Sequence, residues 1–314
     1  MATDVKISTI GAAPFHPRPI PQGQEAVDTM IEHWRGQLEQ VLPDRPDLIV
    51  VPEACDRYGL HGMEERLAYY AVRGDQVRDF FAQTAKQHSC YIAYSAARRT
   101  EDGTWRNSTQ ILDRAGEVAG IYNKAHLTFG EMDNAGILCG KGPVIVDCDF
   151  GRVGAAICFD LNFHPLIEGY KQLKPDVIVF SSMYHGGLMQ AYWAYQCRAH
   201  FVGAIAGPQS AILSPVGHIL ASSTNYRNYV TATVNLDCRV VHLDYNRPRL
   251  KKLKKKYGPE ATVFDPGYLG SVLLSSESET VTVDQMIEEF EIELWDDYYA
   301  RALKAHRDPK RVEP

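Results

Sequence analysis

The chain has 314 residues, which is enough for one large α/β domain or two small ones with a substantial core. Hydrophobic residues make up 45% of the chain and charged residues 23%, ordinary values for a folded domain that exclude a disordered or fibrous protein. The net charge of -6 argues against a nucleic-acid partner, and the lack of any run of about eighteen apolar residues argues against a membrane span.

The cysteines and the N-terminal residues indicate the compartment. Seven cysteines show no paired spacing of the metal-binding kind, and an odd number suits a reducing environment. The opening residues MATDVKISTIG lack the charged and apolar regions of a signal peptide. We therefore expect a soluble, cytoplasmic protein with free thiols and without a structural metal.

Strands and helices alternate in the first half of the chain. Strands are predicted where short runs are apolar or alternate apolar with polar residues, and helices where apolar residues recur three or four positions apart. The predicted strands are residues 5–11, 48–51, 90–97, 107–113 and 117–122, and the predicted helices are residues 25–42 and 75–88.

The same rhythm returns after Pro143. The predicted strands are residues 144–151, turning back into 153–158, then 176–182, 202–207, 210–215, 217–223 and 229–236, and the predicted helices are residues 163–173 and 187–200. Because the two halves repeat one pattern, we expect residues 1–245 to form one α/β domain. Its two sheets should each be covered by helices on the outer side.

The remaining residues, 246–314, are predicted to form a C-terminal extension. Thr282 and Gln285 make a capping box that opens a predicted helix over residues 283–298, with one apolar face and many acidic residues. Because an apolar face needs a partner, we expect this helix to pack at a subunit interface of a homodimer or a larger assembly. A short basic run from Arg249 is most simply a solvated face.

Two predicted strands end on residues that can do chemistry. Cys158 ends the buried strand 153–158, and Glu53 follows the strand 48–51. In α/β folds the carboxyl ends of strands carry reactive groups, because the loops there leave room for a ligand. Lys124 has a similar position after a third strand. Taken one at a time, an inert buried cysteine, a surface carboxylate and a solvated lysine are the simpler interpretations.

Three stretches in a fixed order change this balance: VVPEACD around Glu53, YNKAHLTFGE around Lys124 and AAICFDLNF around Cys158. Together they resemble the nitrilase superfamily, whose carbon–nitrogen hydrolases carry a glutamate, a lysine and a cysteine in this order, each beside a strand end. The resemblance covers roughly residues 5–236. It implies a four-layer αββα sandwich, usually paired with a second subunit through helices.

The resemblance also implies a mechanism. Glu53 takes the proton of the Cys158 thiol, and the sulfur attacks the carbonyl carbon of an amide or related group. Lys124 and the backbone N–H of Phe159 stabilise the resulting oxyanion. Glu53 then protonates the departing ammonia or amine and later activates the water that hydrolyses the thioester. Glu131 resembles a second glutamate that many amide-cleaving members use to position the substrate and the lysine. No metal or organic cofactor is needed.

The residues beside the triad bear on the substrate. Phe159 and Asp160 follow the cysteine, as in amide-cleaving branches, whereas true nitrilases typically place tryptophan and glutamate there. A small amide or N-carbamoyl compound is therefore favoured over a nitrile. The two favoured groups are not distinguished, because both present a carbonyl beside an NH₂. Tyr184 and His185, after the strand 176–182, are candidate pocket residues and are equally consistent with plain loop residues.

Three alternatives accompany the predicted small-molecule hydrolase. A catalytically silent member that binds a small ligand or a protein belongs to another functional class, and the complete triad argues against it. A nitrilase acting on a small nitrile uses the same nucleophile. A glutaminase domain that feeds ammonia to a synthetase is disfavoured, because the chain has no phosphate-binding glycine loop.

Overall fold

The computed structural model describes residues 2–59 and 62–313. The described chain divides into two compact units, a larger one of Val5–Val234 and a smaller one made of the residues up to Asp4 and from Asn235 onward. The division that the sequence predicts, after residue 245, falls within the smaller unit. No helix in either unit, as far as the chain is described, has the length and apolar character needed to cross a membrane.

The larger unit follows the predicted alternation of strands and helices. Its strands are β1 Asp4–Ile10, β2 Leu48–Val50, β3 Tyr91–Arg99, β4 Trp105–Leu112, β5 Val118–Asn123, β6 Ile145–Cys148, β7 Gly151–Ile157, β8 Val177–Ser182, β9 His200–Ile205, β10 Ala211–Leu213, β11 Ile219–Ser222 and β12 Tyr229–Asn235. Its helices are α1 Gly23–Leu38, α2 Met63–Arg73, α3 Gln76–His88, α4 His164–Leu173 and α5 Leu188–Cys197. Each of these elements except α2 is predicted from the sequence.

The strands form two sheets of similar design. One sheet has the order β12-β1-β2-β3-β4-β5 and the other the order β11-β10-β9-β8-β7-β6. Three consecutive strands are parallel in the middle of each sheet, β1 to β3 in the first and β7 to β9 in the second. Buried parallel strands are apolar on both faces, which is why the central strands β2, β7 and β8 are rich in Val, Ile and Ala.

The two sheets pack face to face within the larger unit. The hydroxyl of Thr9 donates to the carbonyl oxygen of Gly203 at 3.0 Å, and the hydroxyl of Ser181 donates to that of Val51 at 2.8 Å. Small hydroxyl side chains are tolerated between the sheets because a backbone carbonyl accepts each of these hydrogen bonds.

Helices cover the outer faces of both sheets. Trp34 of α1 and Phe81 of α3 are buried in one apolar cluster with residues of the first sheet. On the second sheet, the hydroxyl of Tyr170 in α4 accepts a hydrogen bond from the backbone N–H of Ala155 at 3.1 Å, and the ring of Trp193 in α5 packs 6.5 Å from that of Phe201. The layers therefore run helix, sheet, sheet, helix, and the predicted αββα sandwich is confirmed.

The smaller unit has its own sheet and core. Its strands are β13 Cys238–His242, β14 Ala261–Phe264 and β15 Ser271–Ser276, and its helices are α6 Arg247–Tyr257, α7 Val283–Phe290 and α8 Trp295–His306. The strands pair antiparallel in the order β13-β15-β14. Leu253 of α6 and Met286 of α7 are buried against this sheet, while the lysines of the basic run stay exposed on α6.

The prediction of a single helix over residues 283–298 is wrong, because the helix is interrupted between α7 and α8. Glu291 adopts a left-handed conformation with φ of 51°, which ends α7. Ile292 is then buried in the core of the smaller unit, and Leu294 pairs with Val241 of β13. The apolar face of α7 is thus covered by its own sheet. The homodimer or larger assembly stays a prediction, and the structure removes the uncovered face as an argument for it.

Candidate active site

Cys158 lies at a sharp turn directly after β7. Its backbone φ is 49°, in the left-handed region that residues with a side chain seldom occupy. A short 3₁₀ helix, Cys158–Asn162, follows and leaves the cysteine only partly buried. Non-glycine residues with this backbone are frequent at functional sites, where surrounding structure maintains the strain. The turn directs the sulfur into a pocket of the larger unit.

Asp160 holds this turn in place. Its fully buried carboxylate accepts the backbone N–H of Ile157 at 3.0 Å and the hydroxyl of Tyr122 at 2.7 Å on one oxygen. The other oxygen accepts the backbone N–H of His126 at 2.8 Å and contacts the Nδ1 of the same residue at 3.0 Å. Asp160 therefore joins the turn that carries Cys158 to the segment that follows β5.

Glu53 and Lys124 form a buried ion pair beside the cysteine. Glu53 lies in the turn after β2 and is 5% exposed, and Lys124 directly follows β5 and is 1% exposed. The Nζ of Lys124 is 2.8 Å from Oε1 of Glu53. Oε2 of Glu53 accepts the backbone N–H of Met183 at 3.2 Å, at the end of β8. Four strand ends thus meet at one edge of the sandwich.

Glu131 completes the cluster from the loop after Lys124. Its carboxylate accepts hydrogen bonds from Nζ of Lys124 at 3.0 and 2.8 Å, so one ammonium group serves two carboxylates. The backbone N–H and hydroxyl of Thr128 also donate to Glu131, at 2.9 and 3.0 Å. Glu131 sits in a single π-helical turn, Gly130–Asn134, a local distortion that is frequent at functional sites.

Asn107 is a member of the cluster that was not predicted from the sequence. Its Nδ2 donates to Oε1 of Glu53 and to Oε1 of Glu131, each at 2.8 Å. Its backbone carbonyl accepts the N–H of Lys124 at 2.8 Å. A polar residue inside a strand that is otherwise buried was the available signal. The sequence cannot show which side chains it reaches, because Glu53 and Glu131 come from two other segments of the chain.

The charges of the cluster stabilise one another. Burial by itself lowers the pKa of Lys124, but attraction to Glu53 and Glu131 outweighs burial and raises that pKa above its ordinary value. For Glu131, burial raises the pKa, and the attraction of Lys124 with its hydrogen bonds outweighs it and lowers the pKa. We infer that Lys124 and Glu131 are charged at neutral pH.

The surroundings of Cys158, in contrast, disfavour its charged thiolate form. Burial, followed by the negative charge of Glu53, raises the pKa of the Cys158 thiol to about 11, and the nearby Lys124 offsets only part of this. A hydrogen bond with the Glu53 carboxylate contributes to the shift. The resting residue is therefore a thiol beside a carboxylate that can take its proton.

The other three candidate residues lie beside the pocket lining. Phe159 is 36% exposed, and its ring meets that of Phe163 edge to face at 5.1 Å. The hydroxyl of Tyr184 accepts a hydrogen bond from Asn162, and the Nδ1 of exposed His185 accepts the backbone N–H of Gly187 at 3.1 Å. None of the three is among the described residues that line the pocket, whereas their neighbour Met183 is. Their part in binding stays a prediction.

The pocket encloses about 290 Å³ and extends from the cluster toward α2. Its inner end holds Cys158, Glu53, Lys124, Glu131 and Asn107. One face of α2 forms much of the outer wall, with Met63, Arg66, Leu67 and Tyr70 at helical spacing. This spacing is visible in the sequence and was the signal that the unpredicted helix offered.

Metal binding has no evident place in the described parts of the chain. No group of three or more His, Cys, Asp or Glu side chains is arranged there to hold an ion. The lysine instead supplies the positive charge at the inner end of the pocket.

The sequence match decides the family. Residues 18–240 match the carbon–nitrogen hydrolase family, which is most of the chain. The chain belongs to this family. The match runs from the loop after β1 into β13 and includes every residue of the cluster, so this carbon–nitrogen hydrolase is an enzyme by family.

Relatives and solved structures agree with this assignment. The carbon–nitrogen hydrolase is 24% identical over 255 residues to the chloroplastic omega-amidase of Arabidopsis thaliana, covering 70% of this chain and 68% of the relative. It is similar in fold to Nit3 of Saccharomyces cerevisiae, a member of branch 10 of the nitrilase superfamily, with a TM-score of 0.62, 14% identity and coverage of 74% and 90%. It is also similar to a carbon–nitrogen hydrolase of Helicobacter pylori G27, with a TM-score of 0.64, 14% identity and coverage of 81% and 93%. The predicted membership of the nitrilase superfamily is confirmed.

Proposed function

We propose that this carbon–nitrogen hydrolase cleaves small amides through a thioester on Cys158 and releases ammonia or an amine. One observation carries the proposal: a partly buried cysteine with a raised pKa shares a pocket with a buried carboxylate, Glu53, that is paired with Lys124. A thiol in this state reacts only when a neighbouring base takes its proton.

In the first step, Glu53 accepts the proton of the thiol while the sulfur of Cys158 attacks the carbonyl carbon of the amide. A tetrahedral intermediate with a negative oxygen forms. Lys124 and the backbone N–H of Phe159 are the donors that we assign to this oxygen. Charge stabilisation of this kind contributes several kcal/mol in a site shielded from water, on the order of 3 kcal/mol per donor.

In the second step, the proton on Glu53 passes to the nitrogen of the intermediate. The carbon–nitrogen bond breaks, ammonia or an amine leaves, and the acyl group remains on the sulfur as a thioester. Glu53, again a carboxylate, then removes a proton from water as that water attacks the thioester carbon. Collapse of the second intermediate returns the proton to Cys158 and releases the carboxylic acid.

We assign Glu131 to holding Lys124. Its carboxylate has room for about four hydrogen bonds. Donors from Asn107, Lys124 and Thr128 already make five contacts with it. Little capacity remains for the NH₂ group of a substrate, so the sequence-based idea that Glu131 also binds this group has weaker support than its contact with the lysine.

The amide is favoured over a nitrile on two grounds. Phe159 and Asp160 follow the nucleophile, as in amide-cleaving branches, and the Arabidopsis relative is named an omega-amidase. An N-carbamoyl compound is the alternative substrate within the proposal, because it presents the same carbonyl and NH₂. The homodimeric state and the cytoplasmic location also remain proposals from the sequence.

The proposal is tested by ammonia release from an amide, an N-carbamoyl compound and a nitrile that share one side chain. We expect the amide to be turned over fastest, the thioester to appear as an acyl adduct by mass spectrometry, and Cys158→Ala to abolish turnover while leaving the circular dichroism spectrum unchanged. Cys139→Ala, at an exposed cysteine, is the matched control and should keep full activity. Fastest turnover of the nitrile, or activity in Cys158→Ala, would overturn the proposal.

A further inference from the structure

The two ends of the pocket differ in charge. At the inner end, the carboxylates of Glu53 and Glu131 share the single cation of Lys124. On the side formed by α2, the guanidinium groups of Arg57 and Arg66 line the pocket, and the positive charge of each reaches Tyr70 of that helix. A ligand that fits this pattern is neutral at its reacting end and negative at the other end.

Arg57 has hydrogen-bonding capacity that the described chain does not use. It follows β2, four residues after Glu53, and its buried Nε has no hydrogen-bond partner within residues 2–59 and 62–313. Leaving a buried donor of a charged group unmatched is costly, so an acceptor from a ligand is expected there. A bound anion would supply that acceptor.

Arg66 projects from α2 close to Arg57. Burial lowers the pKa of the Arg66 guanidinium, and the positive charge of Arg57 lowers it further, which places the two groups within electrostatic reach. Two like charges at one wall repel each other unless an anion lies between them. Paired guanidinium groups match the planar, two-oxygen geometry of a carboxylate.

Part of the pocket wall is apolar. Leu67, Tyr70, Trp105 and Ile137 line the pocket, and the rings of Tyr70 and Trp105 pack against each other with their centroids 5.4 Å apart. A short methylene chain gains from burial against such a wall, while a polar chain does not. The small volume of the pocket, about 290 Å³, admits a chain of a few carbons.

We propose that the substrate carries a carboxylate, joined by a short apolar chain to the carbonyl that Cys158 attacks, and that Arg57 and Arg66 bind this carboxylate. The substrate class is thus the monoamide of a short dicarboxylic acid, or the N-carbamoyl analogue of the same length. The inference rests on the proposed function for the position of the reacting carbonyl.

Matched substrates test this inference. Glutaramate and pentanamide have the same chain length and differ in a terminal carboxylate or methyl group, and N-carbamoyl-β-alanine and propylurea make the corresponding carbamoyl pair. Because a hydrogen bond to a charged group contributes about 1.5 to 3 kcal/mol, we expect kcat/KM to be about tenfold to a hundredfold higher for the charged member of the pair that is turned over. The difference should lie mainly in KM.

Variants assign the effect to the arginines. In Arg57→Gln and in Arg66→Gln we expect the ratio of kcat/KM between the charged and the neutral substrate to fall about tenfold, with partial recovery in the lysine variants. Arg35→Gln, at a half-exposed surface arginine paired with Glu32, is the matched control and should keep the preference. Equal kcat/KM for the two members of a pair, or a preference that survives in both glutamine variants, would overturn the inference while leaving the hydrolase proposal standing.

A binding measurement separates this inference from the proposed function. Calorimetry on Cys158→Ser should show glutaramate binding at least about tenfold tighter than pentanamide, with the advantage lost in Cys158→Ser combined with Arg57→Gln. This result supports the carboxylate site even if no amide is hydrolysed by the unmodified enzyme, an outcome that would remove the proposed function alone. Equal binding of the two compounds would remove the carboxylate site.

Discussion

The hydroxyl of Tyr122 donates a 2.7 Å hydrogen bond to the carboxylate of Asp160. Tyr122 is in β5, two residues before Lys124, and Asp160 is two residues after Cys158. The contact thus sets the spacing between the segment that carries the lysine and the turn that carries the nucleophile. Neither residue lines the pocket among the described residues, so we regard Asp160 as a positioning residue.

Asp160→Asn should impair turnover more than it impairs folding. An asparagine keeps one acceptor oxygen but places an NH₂ group opposite the donors of Ile157 or His126, so the turn at Cys158 shifts. We expect kcat to fall at least about tenfold and the free energy of unfolding by about 2 kcal/mol, measured by steady-state kinetics and urea unfolding. Asp147→Asn, at a carboxylate with an 84% exposed side chain, is the control. Unchanged kcat in Asp160→Asn would refute the positioning role.

The titration of the Cys158 thiol should respond in opposite directions to changes at its two neighbours. Burial and the charge of Glu53 raise the pKa of Cys158, and Lys124 lowers it. Glu53→Gln should therefore lower this pKa from about 11, and Lys124→Met should raise it further. The rate of alkylation by iodoacetamide as a function of pH measures both shifts. Shifts in the same direction would contradict the described electrostatics.

Asn107→Asp should disable the cluster. The Nδ2 group of Asn107 donates to both glutamates, and a carboxylate in its place puts a third negative charge beside a single ammonium group. We expect kcat/KM to fall at least about a hundredfold and the unfolding free energy to fall by about 3 kcal/mol, because a buried charge is left without a partner. Asn225→Asp, at an exposed position, should change neither quantity. Near-normal activity in Asn107→Asp would show that the donor is dispensable.

The ion pair of Glu131 should make stability depend on acid pH. Although burial raises the pKa of Glu131, the attraction of Lys124 outweighs it and the folded-state pKa lies below the ordinary value. The unfolded chain therefore binds the proton more readily, and the stabilisation is complete above the ordinary glutamate pKa and is lost as pH falls through the folded-state value.

Urea unfolding at pH 7 and below pH 4 measures this dependence. The stability difference between the unmodified enzyme and Glu131→Gln should be largest at pH 7 and should shrink in acid. Glu101→Gln, at an exposed residue, should show a small difference at both pH values. A difference that grows as the pH falls would contradict the lowered pKa.

The sandwich and the strand-end residues could be predicted from the sequence because both depend on local pattern. Apolar runs of strand length define where strands end, and Glu53, Lys124 and Cys158 follow those ends directly. Glu53 and Lys124 follow strands of one sheet that end at the same edge, whereas Cys158 follows a strand of the other sheet and meets them because the two sheets pack face to face. The assignment of Asn107 could not follow in this way, since its side chain is defined by two partners from other segments, Glu53 and Glu131.

The break in the C-terminal helix could not be predicted, because the apolar pattern continues across it. Phe290, Leu294 and Tyr298 keep helical spacing across residues 291–294, so the pattern continues although the helix does not. No glycine or proline marks the break. It is fixed by tertiary contacts, because Ile292 is buried in the core and Leu294 pairs with β13. A periodic pattern reports which residues face a core, and it does not report whether the backbone between them stays helical.

Because Cys158 has a left-handed backbone, the nucleophile lowers the stability of the folded protein. A residue with a side chain is disfavoured in this conformation by about 1 kcal/mol relative to glycine. Replacing Cys158 with glycine would therefore relieve strain while removing the sulfur. We expect the glycine variant to be inactive and to unfold at a higher temperature than the active enzyme. Selection for thermostability alone would therefore favour loss of the catalytic residue.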